Sequence, residues 1–114
     1  MSKRNAKLFI EDMLDAINKI DRYCKGIKNF EEFEKQEMIV DAVLRNLEII
    51  GEAAGKIPEN IRKRYSEIPW KRVVGLRNVG IHGYFAVDLR IIWTIISKQI
   101  PELKKMLEKI NDEI

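Results

Sequence analysis

"IVDAVLRNLEIIGEAAG", residues 39–55, is the stretch that decides the fold. Ile39, Ala42, Val43, Leu47, Ile50 and Ala54 recur at spacings of three and four, so on a helix they share one face, with Asp41, Arg45, Glu48 and Glu52 between them. An apolar stripe of that kind has to be covered by another element, and the rest of the chain supplies candidates with the same period. No sustained period-two alternation with Gly or Asn hairpin signals occurs anywhere, which argues against strands.

Upstream, Ile10, Met13, Leu14, Ile17, Ile20 and Cys24 mark a first helix that ends near Gly26. Asn29 with Glu32 three places on reads as a helix N-cap and its reciprocal partner, and the spacing predicts a single second helix from there to the region of Gly55 to Pro58. Downstream, Pro58 and Pro69 can each open a shorter helix, "PENIRKRY" and "PWKRVVGLRN", because a proline nitrogen at a helix start would have no helical partner anyway. Asp88 is placed to cap a last long helix carrying Leu89, Ile92, Trp93, Ile96, Ile100, Leu103, Leu107 and Ile110, which Pro101 must bend or interrupt. The expectation is an all-α, antiparallel up-and-down bundle of four main helices plus a short one, built as one domain over residues 1–114. The small residues of "GEAAGKI" fall on successive turns and would let a second helix come close, a packing role rather than a ligand-binding one.

Composition narrows the class further. With 46% hydrophobic and 34% charged residues in 114, the chain has the balance of one soluble globular domain. It has no apolar run of the roughly 18 to 20 residues that a bilayer requires, and Glu11 and Asp12 interrupt the N-terminal segment where a signal peptide would be apolar. A cytoplasmic protein with no membrane contact is expected. Cys24 is the only cysteine, so an internal disulfide and a cysteine-based zinc or iron–sulfur site are excluded, and it reads as a small buried apolar residue.

The net charge of +3 is unevenly spread. From Lys56 to Arg77 there are seven basic residues (Lys56, Arg62, Lys63, Arg64, Lys71, Arg72, Arg77) against Glu59 and Glu67, a local +5 that leaves −2 for the remainder. Such a cluster is either a solvated face or the footprint of a polyanionic partner. Its position bears on the choice, because it runs directly into "RNVGIHGY", residues 77–84, which holds the sole histidine.

On a continuous helix Asn78 and His82 would share a face and Arg77 and Tyr84 a neighbouring stripe, but Gly80 and Gly83 point instead to a helix end or a close backbone approach. One reading makes His82 an ordinary residue holding a single hydrogen bond. The other joins it to Arg77: a guanidinium fork suits phosphate oxygens, and an imidazole exchanges a proton near neutrality. Those two groups are a minimal kit for cutting RNA, whose 2′-hydroxyl is already a nucleophile beside the phosphate. Glycine-rich phosphate loops, paired-histidine metal motifs and a cysteine partner for the histidine are all missing from the sequence.

At "LRNVGIHGYF" the chain resembles the HEPN superfamily, and within it the HepT-like toxins, whose pattern R-N-x-x-x-H-x-Y is matched by Arg77, Asn78, His82 and Tyr84. "IIGEAAGKIPENIRKRYSEIPWKRVVGLRN" and "FAVDLRIIW" resemble the same family's flanking segments, so the specific likeness spans roughly residues 44 to 100. The resemblance implies a metal-independent endoribonuclease toxin of a toxin–antitoxin pair, active as a homodimer with two motifs facing across a cleft. It implies that His82 is the acid/base group, Arg77 the phosphate binder and Asn78 a supporting residue. Lys71, Arg72 and Arg64 become candidate RNA contacts. It further implies an MntA-like nucleotidyltransferase antitoxin that adds AMP to Tyr84, with no cofactor and no metal belonging to this chain, ATP being the antitoxin's substrate. The alternative is a non-catalytic HEPN dimer that binds RNA or a nucleotidyltransferase.

Overall fold

The computed structural model describes residues 3–79 and 88–114, and these are helical, with no strand among them. α1 (Lys3–Tyr23) ends in a turn at Gly26, whose φ of 92° lies in the left-handed region that a residue with a Cβ disfavours. α1 and α3 (Glu37–Gly55) run antiparallel, as the Lys56 ammonium at the end of α3 lying 5.7 Å from the Phe9 ring near the start of α1 requires. The last long helical segment is antiparallel to α1 too: Lys7 Nζ donates to the Asn111 carbonyl at 2.8 Å, and Lys104 pairs with Asp21 at 3.3 Å near the opposite end.

The apolar stripes read from the sequence form the core. Ile10, Met13, Ile17 and Ile20 of α1 meet Val43, Leu47, Ile50 and Ala54 of α3, and Ile100, Leu107 and Ile110 close the third side. Each large aliphatic side chain so buried contributes about 1.5–3 kcal/mol, which is why the stripes specify the bundle. The all-α antiparallel bundle is therefore as expected, with three long helical limbs and several short helices among the described residues.

The helix predicted to run unbroken from Asn29 is instead two. The Asn29 side chain does accept from the Glu32 N–H at 2.9 Å, but it caps only the short α2 (Phe30–Glu34), and the chain bends at Gln36 before α3 begins. The Glu32 carboxylate accepts from the Lys28 N–H at 3.2 Å, one residue ahead of the cap. Residues Glu34 to Met38 are all exposed, so a continued helix there would bury nothing. Breaking it turns Phe33 fully inward, 5.3 Å from the Trp93 ring.

Pro58 and Pro69 stand at the N-caps of α4 (Glu59–Arg64) and α5 (Trp70–Gly75). α5 tightens into a 3-10 turn, Leu76–Asn78. Asp88 caps α6 (Leu89–Thr94) by accepting from the Arg90 N–H at 2.9 Å. Pro101 does not end the last limb, and the interruption expected there falls just ahead of it. The strain is taken up just before it by a wide π turn, Ile95–Gln99, in which the Ile100 N–H reaches back five residues to the Ile95 carbonyl, and α7 (Ile100–Glu113) continues beyond. Cys24, expected to be buried, is partly buried and packs against the core just after α1, where burial, with a smaller contribution from the Asp21 charge, pushes its thiol pKa up.

Candidate active site

Arg77 and Asn78 are brought to the surface by a segment anchored from beneath. Along α5 and the 3-10 turn, Trp70, Val73 and Leu76 are buried, and Trp70 Nε1 donates to the Tyr65 carbonyl at 3.1 Å, tying the start of α5 to the end of α4. Three residues per turn then place Arg77 and Asn78, both exposed, on the outer side of the next turn. The α geometry of this segment tightens to 3-10 over Leu76–Asn78, and the rest of the stretch, from Gly80 on, lies outside the described residues. His82 and Tyr84 lie outside them.

The other side of Arg77 rests on α3. A Cβ built on Gly51 would collide with the Arg77 backbone nitrogen and lie 2.8 Å from the Arg77 Cα and 2.9 Å from the Leu76 carbonyl carbon. One turn on, a Cβ at Gly55 would be 3.6 Å from Arg77 Nη1, an ordinary contact. The guanidinium thus lies along the last turn of α3, where the negative end of the helix dipole favours a cation. The close approach foreseen for "GEAAGKI" is made, and the element that makes it is the turn carrying Arg77.

The basic stretch resolves into cations with different roles. Arg62 Nη2 donates to the Ala54 carbonyl at 2.8 Å and its Nε to the Ile57 carbonyl at 3.1 Å, closing the C-terminus of α3. The Arg64 guanidinium lies 5.3 Å from the centre of the Tyr65 ring, and Lys63 pairs with Glu59 at 3.7 Å in the open. Lys71 and Arg72 are exposed on α5, and among the described residues neither they nor Arg77 is in an ion pair. Lys71, Arg72 and Arg77 therefore share one helical segment as solvent-facing cations, whereas Arg64 is turned onto an aromatic face.

Two features escaped the sequence reading. A groove of about 400 Å³ runs between α5 and the π turn, with Val73, Leu76, Ile95 and Leu103 on its walls and Arg72 and Glu102 at its edge. No local spacing signals it, since its walls come from α5 and from the last limb, which are distant in sequence. Asn46, inside the buried face of α3, donates to the Ala42 carbonyl at 2.9 Å, while its Oδ1 is buried with no hydrogen-bond partner among the described residues. Among those residues no helix is long and apolar enough to cross a membrane.

The antiparallel all-α bundle is a HEPN-like one. The chain belongs to the HepT-like family: the family described as "Ribonuclease HepT-like" matches residues 13–110. It is 43% identical over 108 residues to a Methanocaldococcus jannaschii protein named "Putative RNase MJ1380", covering 95% of this chain and 98% of that one. It is 40% identical to "Probable ribonuclease HepT" of Thermococcus cleftensis, over 96% and 98% of the two chains, and 42% identical to "Putative RNase TTE0752" of Caldanaerobacter subterraneus, over 90% of each. No solved structure matches the chain.

Proposed function

We propose that this HepT-like chain, acting over residues 1–114 as one HEPN-like unit, is a metal-independent endoribonuclease toxin that cleaves tRNA or mRNA at a homodimer cleft. The observation that carries the reading is the exposed Arg77, outside any ion pair among the described residues and seated next to Asn78, four and five positions before Asn78's and Arg77's motif partner His82. The chemistry is an internal transesterification. The 2′-oxygen of one nucleotide attacks the adjacent phosphorus, the bond from phosphorus to the 5′-oxygen breaks, and a 2′,3′-cyclic phosphate and a 5′-hydroxyl result. His82 handles the proton that leaves the 2′-oxygen and is needed on the 5′-oxygen. Arg77 stabilises the charge that accumulates on the phosphoryl oxygens, the group for which a fixed fork of N–H donors is suited. Asn78 supports the pair or the RNA backbone.

A single Arg and a single His make a sparse site, and two-fold symmetry would double both in one groove. Lys71 and Arg72 extend the positive surface along α5, with Arg64 further off. Neutralisation by an MntA-like nucleotidyltransferase that adds AMP to Tyr84 would put negative charge beside Arg77 and compete with RNA there.

The test is cleavage of defined tRNA and mRNA by the purified chain with a chelator present, against His82→Ala. The expected result is cleavage with cyclic phosphate ends that the variant loses. Equal cleavage by both proteins, or none until magnesium is added, would sink the reading.

A further inference from the structure

We propose that Gly51 is a positioning residue for Arg77: the bare helix surface it leaves on α3 sets where the guanidinium meets a phosphate. The inference rests on the reading of Arg77 as the phosphate-binding group and adds to it the element that fixes its location. What a Cβ at Gly51 would strike is backbone, the Arg77 nitrogen first, then the Arg77 Cα at 2.8 Å and the Leu76 carbonyl carbon at 2.9 Å. A side chain can rotate out of such a conflict, but a backbone atom cannot. The turn itself must move, and since comfortable contacts lie near 3.5–4.0 Å the displacement is on the order of 1 Å.

The neighbouring glycines set this apart from a general need for small residues. A Cβ at Gly75, immediately before the turn, would meet nothing within 4 Å, and one at Gly55 would make only ordinary contacts. Glycine inside a helix such as α3 is otherwise less favourable than alanine, so Gly51 carries a cost that the close approach of the turn explains. Val73 and Leu76 hold the segment's buried side in the core, which leaves the exposed Arg77 end as the part that shifts. A misplacement of about 1 Å at a group that must meet the transition state lowers the rate on the order of a hundredfold.

The experiment is single-turnover cleavage of a defined RNA by five full-length chains: the starting protein, Gly51→Ala, Arg77→Ala, the double variant, and Gly75→Ala. Thermal unfolding of each is recorded alongside. Gly51→Ala is expected to cleave about a hundredfold more slowly while still unfolding cooperatively, and Gly75→Ala to match the starting protein. In the Arg77→Ala background, adding Gly51→Ala is expected to change the rate by less than about twofold, because a residue acting only through Arg77 has nothing left to act on. An equal loss in both backgrounds, a Gly51→Ala rate close to the starting one, or a Gly51→Ala chain without a cooperative transition would each overturn the inference. An impaired Arg77→Ala beside an unimpaired Gly51→Ala removes the role of Gly51 alone, whereas unimpaired cleavage by Arg77→Ala overturns the reading of Arg77 and this inference together.

Discussion

The Arg62 guanidinium donates to the Ala54 carbonyl at 2.8 Å and, through Nε, to the Ile57 carbonyl at 3.1 Å, which pins it to the end of α3 and the turn after it. The most basic run of the chain therefore contains a structural cation. Arg62→Ala would remove two charge-assisted hydrogen bonds at the end of α3 and the turn after it, although the Ala54 carbonyl keeps its bond from the Ile57 N–H, and we expect a loss of about 1.5–3 kcal/mol in denaturant unfolding, with no change in the salt dependence of RNA binding. Lys71→Ala and Arg72→Ala should do the reverse. Each should keep stability within about 0.5 kcal/mol and flatten the plot of log affinity against log salt by about one unit of slope, as measured by RNA titration at several ionic strengths.

Tyr65 donates its hydroxyl proton to Glu113 Oε1 at 2.6 Å and so ties the end of α4 to the end of α7. The hydrogen bond to Glu113 is the main reason the Tyr65 pKa is raised above its ordinary 10.0, with burial adding to it. A raised pKa in the folded state means that the stabilising contribution is complete below the ordinary value and is lost as pH rises through the folded one. Tyr65→Phe should therefore lower the thermal midpoint at neutral pH, and the gap from the parent should close in strongly alkaline buffer. A gap that is constant across that range would contradict the assignment.

Phe33, the buried residue of α2, is fully buried and packs on Trp93. Phe33→Ala should cost about 3–5 kcal/mol in urea unfolding, in the range for deleting a buried aromatic side chain. Asn29→Ala, which removes only the cap of α2, should cost about 1 kcal/mol. A larger loss for Asn29→Ala than for Phe33→Ala would mean that α2 is held by its cap and not by its anchor.

Cys24 has a thiol pKa pushed up by burial and, to a lesser degree, by the Asp21 charge, which keeps its thiolate fraction at neutral pH below that of an unperturbed cysteine. A disulfide reagent should label it several-fold more slowly in the native chain than in urea. Asp21→Asn should speed the native reaction modestly, because it removes the smaller of the two causes. Equal native and denatured rates would refute this account.

Most of the bundle was legible in the chain because a helix's apolar period is a local property. The stripes on residues 10–24, 39–54 and 89–110 became buried faces, and Asn29 and Asp88 became caps, since a cap needs only the next two or three N–H groups. The break at Gln36 was not legible. It depends on Phe33 finding Trp93, a contact between distant parts of the chain that no local spacing encodes. Pro101 announced a disturbance but not its form, because whether a proline kinks a helix or is absorbed by a wide turn is settled by what the flanking turns pack against.

The candidate site divides in the same way. "RNVGIHGY" alone identified Arg77 and Asn78 as chemically apt, and charge counting alone marked the basic run before them. What those cations rest against was decided by the folded structure: Arg62 turns back to the end of α3 and the exposed Arg64 lies over Tyr65, while Lys71 and Arg72 remain outward. Tertiary structure also decided that Gly51 is the surface against which Arg77 is set. Sequence by itself determined the helical class, the buried faces and the residue types available for chemistry, because these follow from composition and period. The distance between Gly51 and the Arg77 backbone depends on how two helices separated in the chain pack together, and only the folded bundle brings them into contact.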